Sequence, residues 1–450
     1  MPLPRPAVTL DRSWRFPTPT IHELDNGLAI WAFDLPGQHV IALDLMVPAG
    51  LDAEPSDLEG IATVALNVAD EGTLAHPDGR IADLIESRGA LVDLTQTHYS
   101  ARFGLEVAST RLVGTLPLFA EIVRAPETAA SEVAHQVSQL TAEYAQRQAN
   151  SRATNALAMR QALYAASDRR TRPSSGTPGS LRRLNRDDVA AFQEQHWGPT
   201  GAVLLVAGDL PDGTLGAIAD GFGAWAPTGS APAVGPTRNG SRRVLLVDRP
   251  DAVQVDVSFQ ALTIPRTDPR TPALRIAGQM LAGAFTSRLN LALREDRGYT
   301  YGVSGGMVAG RFGSSFGAGM SVRTAVAPDA IALALDLLAV ADPFSAAELR
   351  AAQDYVLGVG PLSTETASDI VDAAVRLAEG GVGVDFLHAQ NDAIAALTAD
   401  DVTTTYRDLI STDDLSIAVT GPAAALAAPL EALGLPIEII DPWAQPTKEP

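Results

Sequence analysis

The sequence predicts an α+β protein built from two homologous halves joined by a linker, and an internal repeat is the main reason. "LNRDDVAAF" begins at Leu184 and "LTADDVTTT" at Leu397, an offset of 213 residues, and each has the Asn/Thr-x-x-Asp pattern that starts a capped helix. At the same offset "LLVAGD" falls on "SIAVTG", which sets Gly208 on Gly421. Self-similarity at a fixed offset is typical of a duplicated structural unit.

The beginnings of the two halves also match. "HVIALDLMV" places Ile41, Leu43, Leu45 and Val47 on one face, and "VQVDVSF" does the same with Val253, Val255, Val257 and Phe259. This alternation predicts half-buried strands. "LIESRGA" at 84–90 and "LREDRGY" at 293–299 each predict a helix closed by a C-terminal glycine. The common order predicts strands, then helices, then further strands and helices in each half.

The boundary between the halves follows from composition. "APTGSAPAVGPTRNGS", residues 226–241, is rich in Pro, Gly, Ser and Ala and has no apolar period, which is typical of a linker. We therefore expect a first half over 1–225 and a second half over 242–450.

Composition excludes several classes of function. The chain has no cysteine, so disulfides, thiolate metal sites and thiol nucleophiles are excluded. Its net charge of -20 argues against a nucleic-acid partner, and the basic cluster at 167–176 is predicted to lie in a loop. The first 20 residues lack the apolar core of a signal peptide, and no apolar run is long enough to span a membrane. These features predict a cytoplasmic protein without a membrane partner.

Four stretches together carry a resemblance to a known family. They are "TIHELDNGLAI" at 20–30, the "AG" at 49–50 before a helix that ends in "EGT", "LNRDDVAAFQEQHWGPTGAVLLVAGD" at 184–209 and "LAGAFTSRLNLALREDRGYTYGV" at 281–303. In this combination the chain resembles the pitrilysin or insulinase family of zinc peptidases, in the small two-domain form of the mitochondrial processing peptidase. The resemblance covers nearly the whole chain beyond its first residues.

The resemblance implies a zinc site that this sequence lacks. Active members carry His-x-x-Glu-His on the first helix, with two zinc ligands and a general base. Those positions fall here on Thr63, Leu66 and Asn67, which are poor ligands or cannot accept a proton. By the same analogy Glu143 is a vestigial third ligand, although a solvated helix carboxylate is the alternative interpretation. We expect no metal in this chain, and an apolar packing stripe on the helix at Ile61, Val64, Ala65 and Val68.

The second half keeps the other functional pair that the resemblance implies. "LREDRGYTYGV" supplies Arg294 near the end of a helix and Tyr301 seven residues later, whereas the matched positions of the first half are Ile85 and Val92. A guanidinium and a phenol can donate hydrogen bonds to a peptide carbonyl and its developing oxyanion, at about 3 kcal/mol each. The alternative is an ordinary solvated arginine and a packing tyrosine.

These features predict the non-zinc subunit of a heterodimeric metalloendopeptidase that cleaves unfolded peptides. Zinc is expected in a homologous partner with an intact motif, and this chain is expected to be inactive by itself. The alternative is a non-catalytic peptide-binding or assembly subunit, and a third hypothesis is a homodimeric peptidase with an unrecognised metal site. "GSSFG" at 313–317 fits the nucleophile-elbow pattern, but alternating residues after it predict a strand instead of the required helix.

Overall fold

The computed structural model describes residues 14–228, 235–239 and 241–444. The predicted absence of a signal peptide falls mainly on residues 1–13, and the middle of the predicted linker on 229–234 and 240; both lie outside the described residues. Two six-stranded sheets with helices packed against them form the molecule, which confirms the α+β class and the two-half layout. None of the described helices is both long and apolar enough to cross a bilayer.

The two sheets share one topology over five of their six strands. Their strands are β1 Thr20–Glu23, β2 Ala29–Asp34, β3 Val40–Val47, β4 Leu91–Gln96, β5 Ala101–Ala108 and β6 Val203–Gly208 in the first, and β7 Val244–Asp248, β8 Gln254–Thr263, β9 Thr300–Val308, β10 Ser314–Arg323, β11 Ser416–Gly421 and β12 Ile437–Ile440 in the second. The orders are β1-β2-β6-β3-β5-β4 and β12-β7-β11-β8-β10-β9. In both, one central pair is parallel (β2 with β6, β7 with β11) and the next three pairs are antiparallel. The repeat predicted from sequence is therefore a repeat of strand order and direction over these five strands. The sixth strands differ, because β1 pairs antiparallel with β2 and β12 pairs parallel with β7.

The helices are α1 Ile61–Asn67, α2 Arg80–Glu86, α3 Ser109–Arg124, α4 Ala130–Ala149, α5 Ser151–Leu163, α6 Pro178–Leu181, α7 Arg186–His196, α8 Thr214–Phe222, α9 Thr271–Gly278, α10 Arg288–Asn290, α11 Ala327–Leu338, α12 Ala346–Val359, α13 Ala367–Glu379, α14 Val384–Ala396, α15 Ala399–Leu409 and α16 Ala423–Ala432. Two π-helical segments, Gln279–Gly283 and Leu291–Asp296, follow α9 and α10. Asn185 and Thr398 start α7 and α15 with capping boxes, as the repeat predicts.

Glycines end the matched helices as expected. Gly89 follows α2 with φ +64°, and Gly298 follows the second π-helical segment with φ +61°. Both conformations are left-handed, where a residue with a Cβ atom is strained. The chain can therefore turn directly from each helix into an edge strand, β4 in the first half and β9 in the second.

Each half covers one face of the other half's sheet with a helix. On its free face the second sheet receives α5 of the first half, where Met159 and Ala162 pack with Leu245 and Ala418. The first sheet receives α13 of the second half in the same way. Strand β3 is therefore buried on both faces over Ile41–Val47, which differs from the half-buried strand predicted from its alternation. Sequence alternation within one half does not reveal a cover that comes from the other half.

Candidate functional site

The helix to which the family resemblance assigns the zinc motif, α1, is a packing element. The predicted stripe is confirmed, because Ile61, Val64, Ala65 and Val68 are each at most 1% exposed. Leu66, to which the resemblance assigns the position of the general base, is also buried in the core, at 1%. Asn67 donates from Nδ2 to Oε1 of Gln136 on α4, at 3.2 Å, and Thr63 lies one turn earlier on the same face of α1.

Glu143 matches the interpretation of a solvated helix carboxylate. Its side chain is 49% exposed and forms an i,i+4 ion pair with Arg147, at 3.5 Å. The residue that contacts Asn67 is Gln136, two helical turns earlier on α4. Counting along the sequence missed this because it does not fix where the two helices cross.

The donor set of α1 and α4 does not fit zinc. A hydroxyl, an aliphatic group and two neutral amides offer none of the imidazole, thiolate or carboxylate ligands that hold this ion. Over the described ranges, no group of three His, Asp or Glu residues is placed to bind a metal elsewhere either. Helix α1 therefore packs in the core but offers no zinc ligands.

Tyr301 lies on β9, at the edge of the second sheet, and its side chain is 93% exposed. The register of β9 against β10 shifts here: Thr300 pairs with Val322 and Val303 with Met320, so Tyr301 and Gly302 together oppose one residue. This is a β-bulge, a device that re-aims side chains and is frequent beside active sites. Thr300 stabilises it, since its hydroxyl donates to the carbonyl of Ser321, at 2.9 Å, and accepts from the amide of Gly302, at 3.2 Å.

Arg294 lies on the second π-helical segment, immediately before the turn into β9. Its guanidinium carbon is 4.0 Å from the ring centroid of Phe285, a close cation–π contact, and Nε lies 3.5 Å from the carboxylate of Glu295. The side chain is 33% exposed. Stacking on a ring leaves the edge of the guanidinium, where its N–H donors point, available to a ligand.

Asn290 ties the helical segment to the strand. Its Nδ2 donates to the carbonyls of Ala284 and Val303, at 3.1 and 2.9 Å, and its Oδ1 accepts from the amide of Val303, at 2.8 Å. The residue is buried and one turn before Arg294. This clamp fixes the loop that holds Phe285, the start of the segment that holds Arg294 and the strand that holds Tyr301.

A cleft of about 1020 Å³ opens beside this segment, between the first π-helical segment and α12. Phe285 and Tyr355, which are 62% and 56% exposed, are its large apolar lining residues. Arg294 stacks on Phe285 at the edge of this cleft, so a polar chain that accepts a hydrogen bond from the guanidinium could bury one of its side chains there.

Sequence reasoning found Arg294 and Tyr301 but missed Phe285, Asn290 and Thr300. The only sequence signals for Asn290 and Thr300 were their positions, four residues before Arg294 and directly before Tyr301. The bulge itself has no signal in the sequence of β9 alone, because it depends on the register with β10. In the first half, Ile85 is buried at 4% and Val92 lies on edge strand β4, so that copy presents neither donor.

The nucleophile-elbow pattern is a strand, as predicted. Ser315 lies on β10 and pairs with Leu262 on one side and Val308 on the other. The strand continues to Arg323 without the helix that an elbow requires.

Comparison with known proteins identifies the family. The model described as "Insulinase (Peptidase family M16)" matches residues 32–173, and the one described as "Peptidase M16 inactive domain" matches 183–356. The chain belongs to the M16, or insulinase, family of peptidases. The two matched regions lie on either side of the junction between α5 and α7 and together include α1, Arg294 and Tyr301.

Curated M16 relatives are distant. An uncharacterized zinc protease of Mycobacterium tuberculosis is 26% identical over 287 residues, 62% of this chain and 65% of the relative. One from Streptomyces coelicolor is 27% identical over 274 residues, 56% of each chain. The matches thus span less than two thirds of the length of these relatives.

Solved structures share the fold more completely. The peptidase M16 inactive domain from Pseudomonas fluorescens has a TM-score of 0.83 at 22% identity, over 90% of this chain and 98% of that one. A protease from Helicobacter pylori gives 0.81 at 16%, over 90% and 100%. A chain of complex III2 from Candida albicans gives 0.74 at 15%, over 90% and 97%. At these identities the likeness establishes the two-half fold.

Proposed function

We propose that this M16 chain is the subunit without zinc ligands in a two-chain peptidase that cleaves unfolded peptides. The observation that carries the proposal is the asymmetry between its halves. The half with the zinc-type helix has lost ligand chemistry at Thr63, Leu66 and Asn67, while the other half presents Arg294 and Tyr301 toward solvent. A homologous partner with the intact motif supplies the zinc and the general base.

The role of the pair is to hold the substrate amide. The Arg294 guanidinium and the Tyr301 hydroxyl both donate hydrogen bonds, and the negative charge that develops on a carbonyl oxygen during attack strengthens such bonds. The cation–π contact with Phe285 and the bulge at Tyr301 hold the two groups without consuming their donors. Fixed donors of this kind lower a barrier because they need no reorganisation during the reaction.

The experiment uses the chain with a homologous His-x-x-Glu-His chain from the same genome. The mixture should cleave unstructured, internally quenched peptides, and a chelator should abolish cleavage. Arg294→Ala and Tyr301→Phe should each lower kcat by roughly 10²–10³-fold, while gel filtration shows unchanged assembly. Arg297→Ala, an exposed arginine three residues from Arg294, is the matched control and should retain activity.

Two results would reject the proposal. One is stoichiometric zinc and peptide hydrolysis in this chain alone, which is the homodimeric hypothesis. The other is a zinc-dependent complex whose cleavage rate is unchanged by both substitutions, which favours a non-catalytic peptide-binding or assembly subunit. A chain of complex III2 shares the fold, so a fold of this kind does occur in an assembly subunit. No residue of the site supports that role in this chain.

A further inference from the structure

A second cavity, of about 310 Å³, lies between the first half and the free face of the second sheet. Four arginines line it: Arg160 from α5, and Arg169, Arg170 and Arg172 from the loop that follows. No Asp or Glu is among the described residues that line it. In a chain with a net charge of -20, such a concentration of arginine needs an explanation.

Three of the four arginines have carboxylate partners behind the wall of the cavity. Nε of Arg169 donates to Glu54, at 2.7 Å. Arg172 pairs in the same way with Glu59, at 2.5 Å. Arg170 pairs with Asp168, at 3.1 Å. The basic cluster at 167–176 is therefore mostly an internal ion-pair network.

Arg160 is different. Its Nε donates to the backbone carbonyl of Arg170, at 2.8 Å, and among described residues it forms no ion pair. Its two terminal nitrogens have no protein partner among the described residues either. They are not fully buried, so they keep contact with solvent. Burial and the neighbouring Arg169 lower the pKa of this guanidinium, as for a cation that lacks compensation.

The surrounding groups add neutral hydrogen-bonding capacity. His98 lines the cavity, and burial together with Arg170 lowers its pKa to about 3, so its ring is uncharged at neutral pH. Ser174 and Gln260 also line it. One uncompensated guanidinium with neutral donors in a concave site is the arrangement that binds a small oxyanion.

A groove of about 460 Å³ adjoins the cavity and shares Arg160 and Gln260 with it. The groove follows the free face of the second sheet, past Ser258 on β8 to Gly302 and Ser304 on β9. A molecule larger than a simple ion can therefore place a charged end against Arg160 and the rest of its length along the sheet.

We propose that Arg160 is the centre of an oxyanion-binding site that accepts a phosphate or carboxylate group. The site is separate from Arg294 and Tyr301 and does not depend on a partner chain. The anion would complete the charge balance of the four arginines and form charge-assisted hydrogen bonds with both terminal nitrogens of Arg160.

Isothermal titration calorimetry on the full chain tests this with three probes: inorganic phosphate, N-acetyl-trialanine with a free carboxylate, and its C-terminal amide. The wild-type protein should bind phosphate, the free acid or both, and should bind the amide at least tenfold more weakly than the acid if the acid binds. Tighter binding of phosphate identifies a phosphate-bearing ligand, and tighter binding of the acid identifies a peptide carboxyl terminus.

Variants decide whether Arg160 is responsible. Arg160→Gln should weaken binding of the anion at least tenfold, equivalent to about 1.4 kcal/mol. Arg182→Gln, which removes an exposed arginine that lines neither the cavity nor the groove, should leave the affinity unchanged. If Arg160→Gln does not fold, Gln260→Glu provides the second test, because a carboxylate at the shared wall would pair with Arg160 and displace the anion.

The proposal is overturned if neither anion binds the wild-type protein at concentrations up to about 10 mM, a limit that corresponds to roughly 3 kcal/mol. It is equally overturned if a folded Arg160→Gln or Gln260→Glu variant binds both anions with wild-type affinity. Neither result bears on Arg294 and Tyr301, so failure here leaves the proposed peptidase role untouched.

Discussion

At the scale of single residues, the two tyrosines Tyr301 and Tyr406 separate function from stability. Tyr301 is 93% exposed on its bulge, while Tyr406 is fully buried and donates its hydroxyl to the carbonyl of Leu338, at 2.7 Å. Burial raises the pKa of Tyr406 above its ordinary range. A protein gains little folding free energy from a side chain that remains in water.

We therefore expect Tyr301→Phe to change the free energy of unfolding by less than about 0.5 kcal/mol. Tyr406→Phe should lower it by roughly 1–2 kcal/mol, because the carbonyl of Leu338 loses its buried donor. Urea unfolding followed by circular dichroism measures both. A large loss of stability in Tyr301→Phe would assign that residue to packing and remove the argument for a binding role.

Asp44 gives the stability of the protein a pH dependence. Its carboxylate is buried in the first sheet and accepts from Arg102, at 2.7 Å, and Arg102 also binds Asp372 of α13. Burial outweighs this pairing and raises the pKa of Asp44 from 3.8 to about 6. The folded state thus binds a proton that the unfolded state has released, so stability falls as the pH rises from about 4 to 6.

Asp44→Asn should remove that contribution. Relative to the wild type, the free energy of unfolding of the variant should increase by an amount on the order of 3 kcal/mol as the pH rises from 4 to 6. Above pH 6 the difference between the two proteins should stay constant. Asp413→Asn, at a 95% exposed carboxylate, is the control and should follow the wild type. A difference that is independent of pH would contradict the account. Urea titrations at several pH values provide the measurement.

At the scale of elements, α1 and α4 bring together the side chains of Asn67 and Gln136, beside the positions that the family resemblance assigns to zinc ligands. Asn67 and Gln136 already touch, and Thr63 is one turn from Asn67. Restoring imidazoles and one carboxylate at these three positions supplies the three protein ligands of an open zinc site.

We expect Thr63→His, Asn67→His and Gln136→Glu together to bind one zinc ion per chain, measured by atomic absorption after dialysis. The variant with the two histidines alone keeps Glu143 and should bind zinc much more weakly, because the structure aims Gln136 at Asn67. Equal zinc content in the two variants would instead assign the third position to Glu143.

The sequence could predict elements whose causes are local. The capping boxes at Asn185 and Thr398, the closing glycines Gly89 and Gly298 and the apolar stripe of α1 all follow from residues close in sequence. It could also place Arg294 and Tyr301 on one helix–strand connection. The family resemblance and the strand repeat supplied the rest of the fold.

Features that depend on distant residues were not predictable. The bulge at Tyr301 depends on the register with β10, the partner of Asn67 depends on where α1 crosses α4, and the second cover of β3 comes from α13. The unmatched Arg160 is another such case, because only the folded structure shows that the nearby carboxylates are committed to its neighbours. Long-range packing thus decides most of the site's surroundings.

At the scale of the whole molecule, the exchange of α5 and α13 joins the halves. Asn155 of α5 donates to the backbone carbonyls of Asp256 and Ala418 in the second sheet, at 3.0 and 2.9 Å, in addition to the apolar contacts. Because α5 and α13 each lie outside the linker and make these contacts, we expect the halves to stay together without covalent continuity there.

We expect a protein cleaved between residues 228 and 235, through an inserted protease site, to elute as one species in gel filtration. It should unfold in a single transition, since each sheet buries one of its two faces only while the other half is present. The uncut protein with the same insertion is the control. Separation of the two fragments in buffer without denaturant would show that the exchanged helices contribute little.

The exchange also bears on how such a chain can have evolved. Because each half now covers a sheet of the other, deletion of either half would leave a large apolar surface exposed to water and make the remaining half prone to aggregate. Loss of a whole copy is therefore costly: single side chains such as Asn67 can vary, yet the copy itself must be retained because it covers the sheet of the other.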